Sequence, residues 1–74
     1  MTYEVWEAES GNMIAGFPTK SAALALVREQ MEAAGQDSVA TWFLDREDDQ
    51  GESTMIAKGP DLADLARRSP SVAR

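Results

Sequence analysis

The chain has 74 residues, enough for one small domain, and it contains neither cysteine nor histidine. This excludes disulfides and thiolate chemistry, and it removes the commonest general base and transition-metal ligand. Seven basic and 13 acidic residues give a net charge of −6, which disfavours nucleic-acid partners. We see no apolar run long enough for a signal peptide or a membrane span, so we expect a cytoplasmic protein without a membrane partner.

Two strand-like runs open the chain and predict a β-hairpin. Residues 3–8 are rich in aromatic and β-branched side chains, and their alternation places Val5 and Trp6 on opposite faces. Residues 9–12 form the turn, where Gly11-Asn12 can adopt the positive φ angles of tight hairpins. The returning strand covers residues 13–17.

The segment 19–35 predicts the one long amphipathic helix. Thr19 suits the N-cap position, because its hydroxyl can accept a hydrogen bond from a first-turn N–H. Gly35 suits the left-handed residue that ends a helix. Apolar residues at spacings of three and four form one stripe: Ala23, Leu24, Val27, Met31 and Ala34. This stripe needs a sheet to cover it.

A second hairpin and a short helix follow. Residues 38–45 predict the third strand, 46–51 an acidic loop and 52–58 the fourth strand. Pro60 suits the first turn of a C-terminal helix. The predicted fold is α+β in β-β-α-β-β-α order, with the long helix on one face of a four-stranded antiparallel sheet. The domain spans residues 1–68, and residues 69–74 are expected to be a flexible tail.

The third strand carries large apolar side chains on both faces, with Val39 and Phe43 on one side and Trp42 and Leu44 on the other. A single long helix covers only one face of the sheet. An exposed apolar patch would mark a partner or dimer surface, with Trp6, Phe43 and Met13 as the expected contacts. In the alternative, the C-terminal helix folds over this face and buries it.

The acidic loop supplies the predicted rim of that surface, through Asp48, Asp49 and Glu52. Clustered carboxylates can hold calcium or magnesium, but the spacing of an EF-hand is absent. A solvated hairpin loop that also blunts the sheet edge explains the charges, so we predict no metal site.

We also predict no catalytic site and no cofactor. The serines have no histidine to activate them, and the five glycines are too scattered for a phosphate-binding loop. Carboxylate pairs such as Glu4/Glu7 and Asp48/Glu52 can do acid–base chemistry only inside a pocket, which a thin domain rarely supplies. We therefore expect a protein that is not an enzyme.

The segments YEVW, SGN, F-x-T, ALALV and IAKGPDLADLA resemble a group of short uncharacterised bacterial proteins, over residues 3–66. These motifs are typical of a hairpin turn, a helix cap, a helix core and a helix start, and the resemblance implies no activity. In element order alone the chain is similar to HicB-like antitoxins, although no DNA-binding segment follows.

The sequence thus predicts a small acidic interaction module, antitoxin- or regulator-like, whose apolar face binds a protein partner. A basic toxin or nuclease would suit its charge. A homodimer that pairs this face with itself is the alternative. A domain that binds a metal or a small ligand is a third class and rests only on the acidic loop.

Overall fold

The computed structural model describes residues 1–69 as a four-stranded antiparallel sheet with two α-helices. The elements in chain order are β1 (Thr2–Glu7), β2 (Asn12–Phe17), α1 (Lys20–Ala34), a 3-10 helix (Gln36–Val39), β3 (Trp42–Glu47), β4 (Ser53–Lys58) and α2 (Gly59–Arg68). The predicted α+β fold is confirmed. Of the predicted tail, residues 70–74 lie outside the described residues.

The strand order is β2-β1-β3-β4, so the two hairpins join through the pairing of β1 with β3. Because β1 is antiparallel to both neighbours, β2 and β3 run in the same direction on either side of it. The connection through α1 therefore crosses over β1, as parallel strands require. This topology makes β1 and β3 the central strands and leaves β2 and β4 as the edges.

Both edge strands carry an irregularity at an isoleucine. In β2, Met13 and Ala15 pair with consecutive residues of β1, which leaves Ile14 as an extra residue. In β4, Ile56 is skipped in the same way opposite β3. Such bulges interrupt the ladder and increase the local twist, so each edge becomes a poorer template for pairing with another strand.

Both α-helices pack on the same face of the sheet. The buried residues form one cluster contributed by β1, β3, the 3-10 helix and both α-helices: Val5, Ala23, Leu24, Val27, Val39, Leu44, Leu62, Ala63 and Ala66. Each is at most 2% exposed. Since Leu62, Ala63 and Ala66 belong to this cluster, α2 lies beside α1 and does not cover the other face. The alternative in which the C-terminal helix buries that face is wrong.

Specific hydrogen bonds fix the start of α1 and the end of α2. Thr19 caps α1 as predicted, accepting a hydrogen bond at its hydroxyl from the Ala22 N–H at 3.2 Å. Gly35 ends α1 with φ of +90°. The guanidinium of Arg28 in α1 donates to the carbonyls of Ala66 at 3.3 Å and Ser69 at 2.6 Å. A cation at these carbonyls satisfies the C-terminal end of α2 and ties it to α1.

Glu7 closes the β1–β2 turn. Its carboxylate accepts hydrogen bonds from the backbone N–H of Ser10 at 2.7 Å and of Glu9 at 3.1 Å. The hydroxyl of Thr41 donates to the same carboxylate at 2.6 Å. Gly11 takes the positive φ of this turn, at +73°, whereas no residue other than glycine among those described has positive φ, so the expectation for Asn12 was wrong.

Residues 38–41 are not part of the third strand, which corrects the predicted bounds of 38–45. The Ser38 hydroxyl donates to the Gly35 carbonyl at 2.6 Å, and the Ala40 N–H donates to the Asp37 carbonyl at 3.1 Å. Side chains such as serine favour these local bonds over a ladder, so the chain forms a 3-10 turn here. Val39 therefore enters the core from the turn, and β3 begins at Trp42.

Candidate functional site

The face of the sheet turned away from the helices is the candidate functional surface. Val5 on β1 and Leu44 on β3 point into the core and are 0% exposed. Their neighbours along each strand therefore project to the opposite face, away from the helices. Cross-strand pairing places Met13 beside Trp6, and Met55 beside Asp45. We call this surface the open face, and its side chains include Glu4, Trp6, Met13, Phe43, Asp45, Met55 and Lys58.

An aromatic pair lies at the centre of the open face. Trp6 and Phe43 are direct cross-strand partners, and their rings stack with centroids 6.3 Å apart and planes 7° from parallel. The indole N–H of Trp6 donates to Glu4 at 3.3 Å, which orients the ring along β1. Both rings are only partly buried. Large, rigid aromatic groups at the centre of an exposed face are typical anchors for a partner.

Exposed methionines extend the apolar surface on both sides of this pair. Met13 on β2 is 50% exposed, and Met55 on β4 is 51% exposed. Flexible thioether side chains adapt to different partner shapes and are common at binding surfaces. Together with the aromatic pair they cross the sheet from one edge to the other.

A groove continues the open face towards the start of α2. It has a volume of about 650 Å³, and its walls include Phe43, Met55 and Lys58 on the sheet side and Pro60 and Asp61 on the helix side. Because its charged groups are one lysine and one aspartate, the groove has no strong preference for either sign. It is suited to an apolar side chain of a partner.

Two carboxylates meet on the open face beside the aromatic pair. Glu4 and Asp45 are direct cross-strand partners. Burial raises the pKa of the Asp45 carboxyl, and the negative charge of Glu4 raises this pKa further. The ion pairs among residues 1–69 involve Asp49 and Asp64 as the acidic partners, not Glu4 or Asp45. This part of the face therefore carries negative charge that the described residues leave without an ion pair.

The structure brings together the three predicted apolar contacts and separates them from the three predicted rim charges. Trp6, Met13 and Phe43 form one surface. The rim residues lie in the β3–β4 turn, beyond Glu47, which is at the end of β3 opposite to Phe43. Glu4 and Asp45 are instead the carboxylates next to the aromatic pair, and sequence reasoning missed this pairing. Their positions two residues from Trp6 and Phe43 are the signal that indicates a shared face.

The predicted rim residues have local roles in the turn. One carboxylate oxygen of Asp48 accepts the backbone N–H groups of Gln50 and Glu52, each at 2.9 Å. Asp49 pairs with the terminal amino group of Met1 at 3.1 Å. Within residues 1–69, no group of three acidic side chains is arranged to hold a metal ion. The geometry of this turn therefore supplies nothing that favours the metal-binding alternative.

The predicted carboxylate pair Glu4/Glu7 is divided by the sheet, because three positions along a strand place the two side chains on opposite faces. Hydrogen bonds from the Ser10 and Thr41 side chains, and from the backbone at Ser10 and Glu9, lower the pKa of Glu7 to about 2. Such a group stays ionised at neutral pH and serves as a hydrogen-bond acceptor. In this fold the Glu7 carboxylate holds the β1–β2 turn through the hydrogen bonds that it accepts, and we call it the turn clasp.

No protein-family model, curated protein or solved structure matches this chain. The resemblance to short bacterial proteins accordingly stays a prediction. Neither α-helix within residues 1–69 has the length and apolar character required to cross a membrane.

Proposed function

We propose that this chain is a small, non-enzymatic protein-interaction module that binds a basic protein through its open face. The observation that carries the proposal is the stacked Trp6–Phe43 pair on a sheet face that neither helix covers. A role as a regulator or antitoxin-like inhibitor fits this mode of action, because such proteins act by covering a partner's surface.

Two physical features support docking at this face. First, contiguous exposed apolar groups are costly to leave in water, and a partner that covers them gains their hydrophobic free energy. Second, the net charge of −6 accelerates encounter with a basic surface and disfavours acidic competitors. Apolar anchors would supply the affinity, and charge would supply the selectivity.

Self-association is the second candidate, favoured by the position of two half-exposed methionines on opposite sides of one face. A two-fold axis through the aromatic pair would place Met13 and Met55 against the partner copy. Against it stands charge: each copy brings a net −6, and the Glu4–Asp45 pair lies near that axis. Like charges brought together at an interface reduce affinity.

The decisive experiment is an affinity capture with the tagged 74-residue chain as bait, from lysate of the organism that encodes it. The bait is compared with a Met13→Gln/Met55→Gln variant, which removes apolar surface and leaves the charge unchanged. Ala33→Gln/Ala34→Gln on the exposed part of α1 is the matched control. The mass of each purified protein is measured in parallel over a range of concentrations.

We expect one stoichiometric basic partner that the methionine variant loses and the alanine control retains. Recovery of only further copies of the bait, with a mass that rises with concentration, would instead establish the homodimer. Equal capture of one partner by all three baits would show that the open face is not the binding surface.

A further inference from the structure

Four side chains form a compact block at the centre of the open face, which we call the open-face quartet: Glu4, Trp6, Phe43 and Asp45. The two aromatic residues are cross-strand partners, and so are the two carboxylates. Each carboxylate lies two residues from an aromatic ring on the same strand, so all four side chains project on the same side. The quartet therefore places two stacked aromatic rings beside two negative charges.

The quartet lacks a cation of its own among the described residues. Among the described residues the basic side chain on this face is Lys58, but its cross-strand partner is Phe43 rather than Asp45, and its ammonium makes no ion pair within residues 1–69. Arg46 follows Asp45 along β3 and so projects to the opposite face. The Trp6 N–H satisfies one lone pair of Glu4, which leaves further acceptor positions on both carboxylates.

We propose that the open-face quartet binds an arginine side chain of the basic partner, with the guanidinium against the Trp6–Phe43 rings and its N–H groups on Glu4 and Asp45. This inference rests on the proposed function and specifies the chemistry of its contact. A guanidinium is planar, stacks on aromatic faces and donates along a fork that suits paired carboxylates. A lysine ammonium supplies the charge without the planar fork, so arginine is the better match.

The binding test uses three short peptides that differ at one position: Ac-Leu-Arg-Leu-NH2, its lysine analogue and its citrulline analogue. Citrulline keeps the shape of arginine and removes the positive charge. The readout is the pair of tryptophan indole N–H signals in an NMR titration of the full chain, assigned with a Trp42→Phe variant. Trp42 packs against the core and lines the groove at the start of α2, so its signal reports binding in the groove, whereas the Trp6 signal reports binding at the quartet.

We expect the arginine peptide to shift the Trp6 signal saturably and the citrulline peptide to bind at least about ten-fold more weakly, because charge-assisted hydrogen bonds are lost. The lysine peptide should fall between the two. Glu4→Gln/Asp45→Asn should reduce affinity for the arginine peptide to that for citrulline. Glu29→Gln/Glu32→Gln, which makes the same change in net charge on exposed positions of α1, should preserve the preference.

Three results would overturn the inference: no saturable shift of the Trp6 signal, equal binding of arginine and citrulline or lysine peptides, or equal losses in the two double variants. The last result would indicate that only net charge matters. Failure here is distinguishable from failure of the proposed function. If the methionine variant still loses a captured partner while the peptides show no arginine preference, the docking surface stands and only the arginine contact falls.

Discussion

The two faces of the sheet are formed by the same strands, but one face is buried beneath the helices and the other is partly exposed. Val5 and Leu44, which pair across β1 and β3, are fully buried beneath the helices. The next pair along, Trp6 and Phe43, consists of larger apolar side chains that stay partly exposed. A step of one residue exchanges the faces of a strand, so the same backbone supports a core and an exposed apolar surface.

Strand alternation separates the side chains that form the core from those that remain accessible on the open face. Both helices are used on one face, joined by the hydrogen bonds from Arg28 to the end of α2. Within residues 1–69 neither helix lies on the second face. Substitutions on the covered face should therefore unfold the protein, and substitutions on the open face should alter its contacts with other molecules.

The largest expected effect is on the covered face. Leu44→Ala removes a fully buried side chain between the sheet and the helices and should lower the free energy of unfolding by about 3 kcal/mol. That is a large part of the roughly 4–11 kcal/mol expected for a domain of this length. Urea unfolding followed by circular dichroism measures it. A loss similar to that of an open-face variant would contradict the division between the faces.

The adjacent residue provides the matched measurement on the open face. Phe43→Ala removes one ring of the stacked pair and should cost about 1 kcal/mol, since the ring is partly exposed and a stacked pair contributes modestly. The same urea titration gives the value. If Phe43→Ala destabilised the chain as strongly as Leu44→Ala, the open face would be part of the folding core.

Much of this fold is predictable from local signals. The Thr19 cap, the Gly35 terminus and the apolar stripe between them define α1 without reference to the rest of the chain. Alternation in β1 likewise separates Val5 from Trp6. The strand predicted over residues 38–41 is wrong, because Val39 fits a strand pattern while the hydrogen bonds of Ser38 favour a turn.

The elements of the candidate site that depend on long-range pairing could not be predicted. Glu4 and Asp45 are 41 positions apart, and they meet only because β1 pairs with β3 in one particular register. The placement of α2 beside α1 is also non-local, as is the contact of Arg28 with Ser69. No local spacing encodes which face a second helix covers, since its apolar edge fits either.

Acid should change the contributions of Glu7 and Asp45 to stability in opposite directions, and these two carboxylates lie on opposite sides of the sheet. The pKa of Glu7 is lowered from 4.5 to about 2 in the fold, so its ionised form stabilises the folded state. This contribution is fully present above about pH 4.5 and is lost as the pH falls towards 2. Melting temperatures of the wild type and Glu7→Gln should differ at neutral pH and converge near pH 2. A constant difference across this range would show that Glu7 is not a specific hydrogen-bonded clasp.

The smallest expected effect is an increase in the free energy of unfolding, and it comes from a residue of the open face. Because the folded-state pKa of Asp45 is raised, its charged form opposes folding, and this penalty disappears as acid protonates it. At neutral pH, Asp45→Asn should therefore raise the free energy of unfolding by about 0.3 kcal/mol, a value limited by solvent screening. The melting temperature measures the gain, with Glu32→Gln on α1 as the control. If Asp45→Asn stabilises the free chain and lowers its affinity for the arginine peptide, the Asp45 carboxylate favours binding at a cost in stability. If Asp45→Asn leaves both properties unchanged, the carboxylate is a solvated surface charge, and the contrast between the faces rests on the apolar residues.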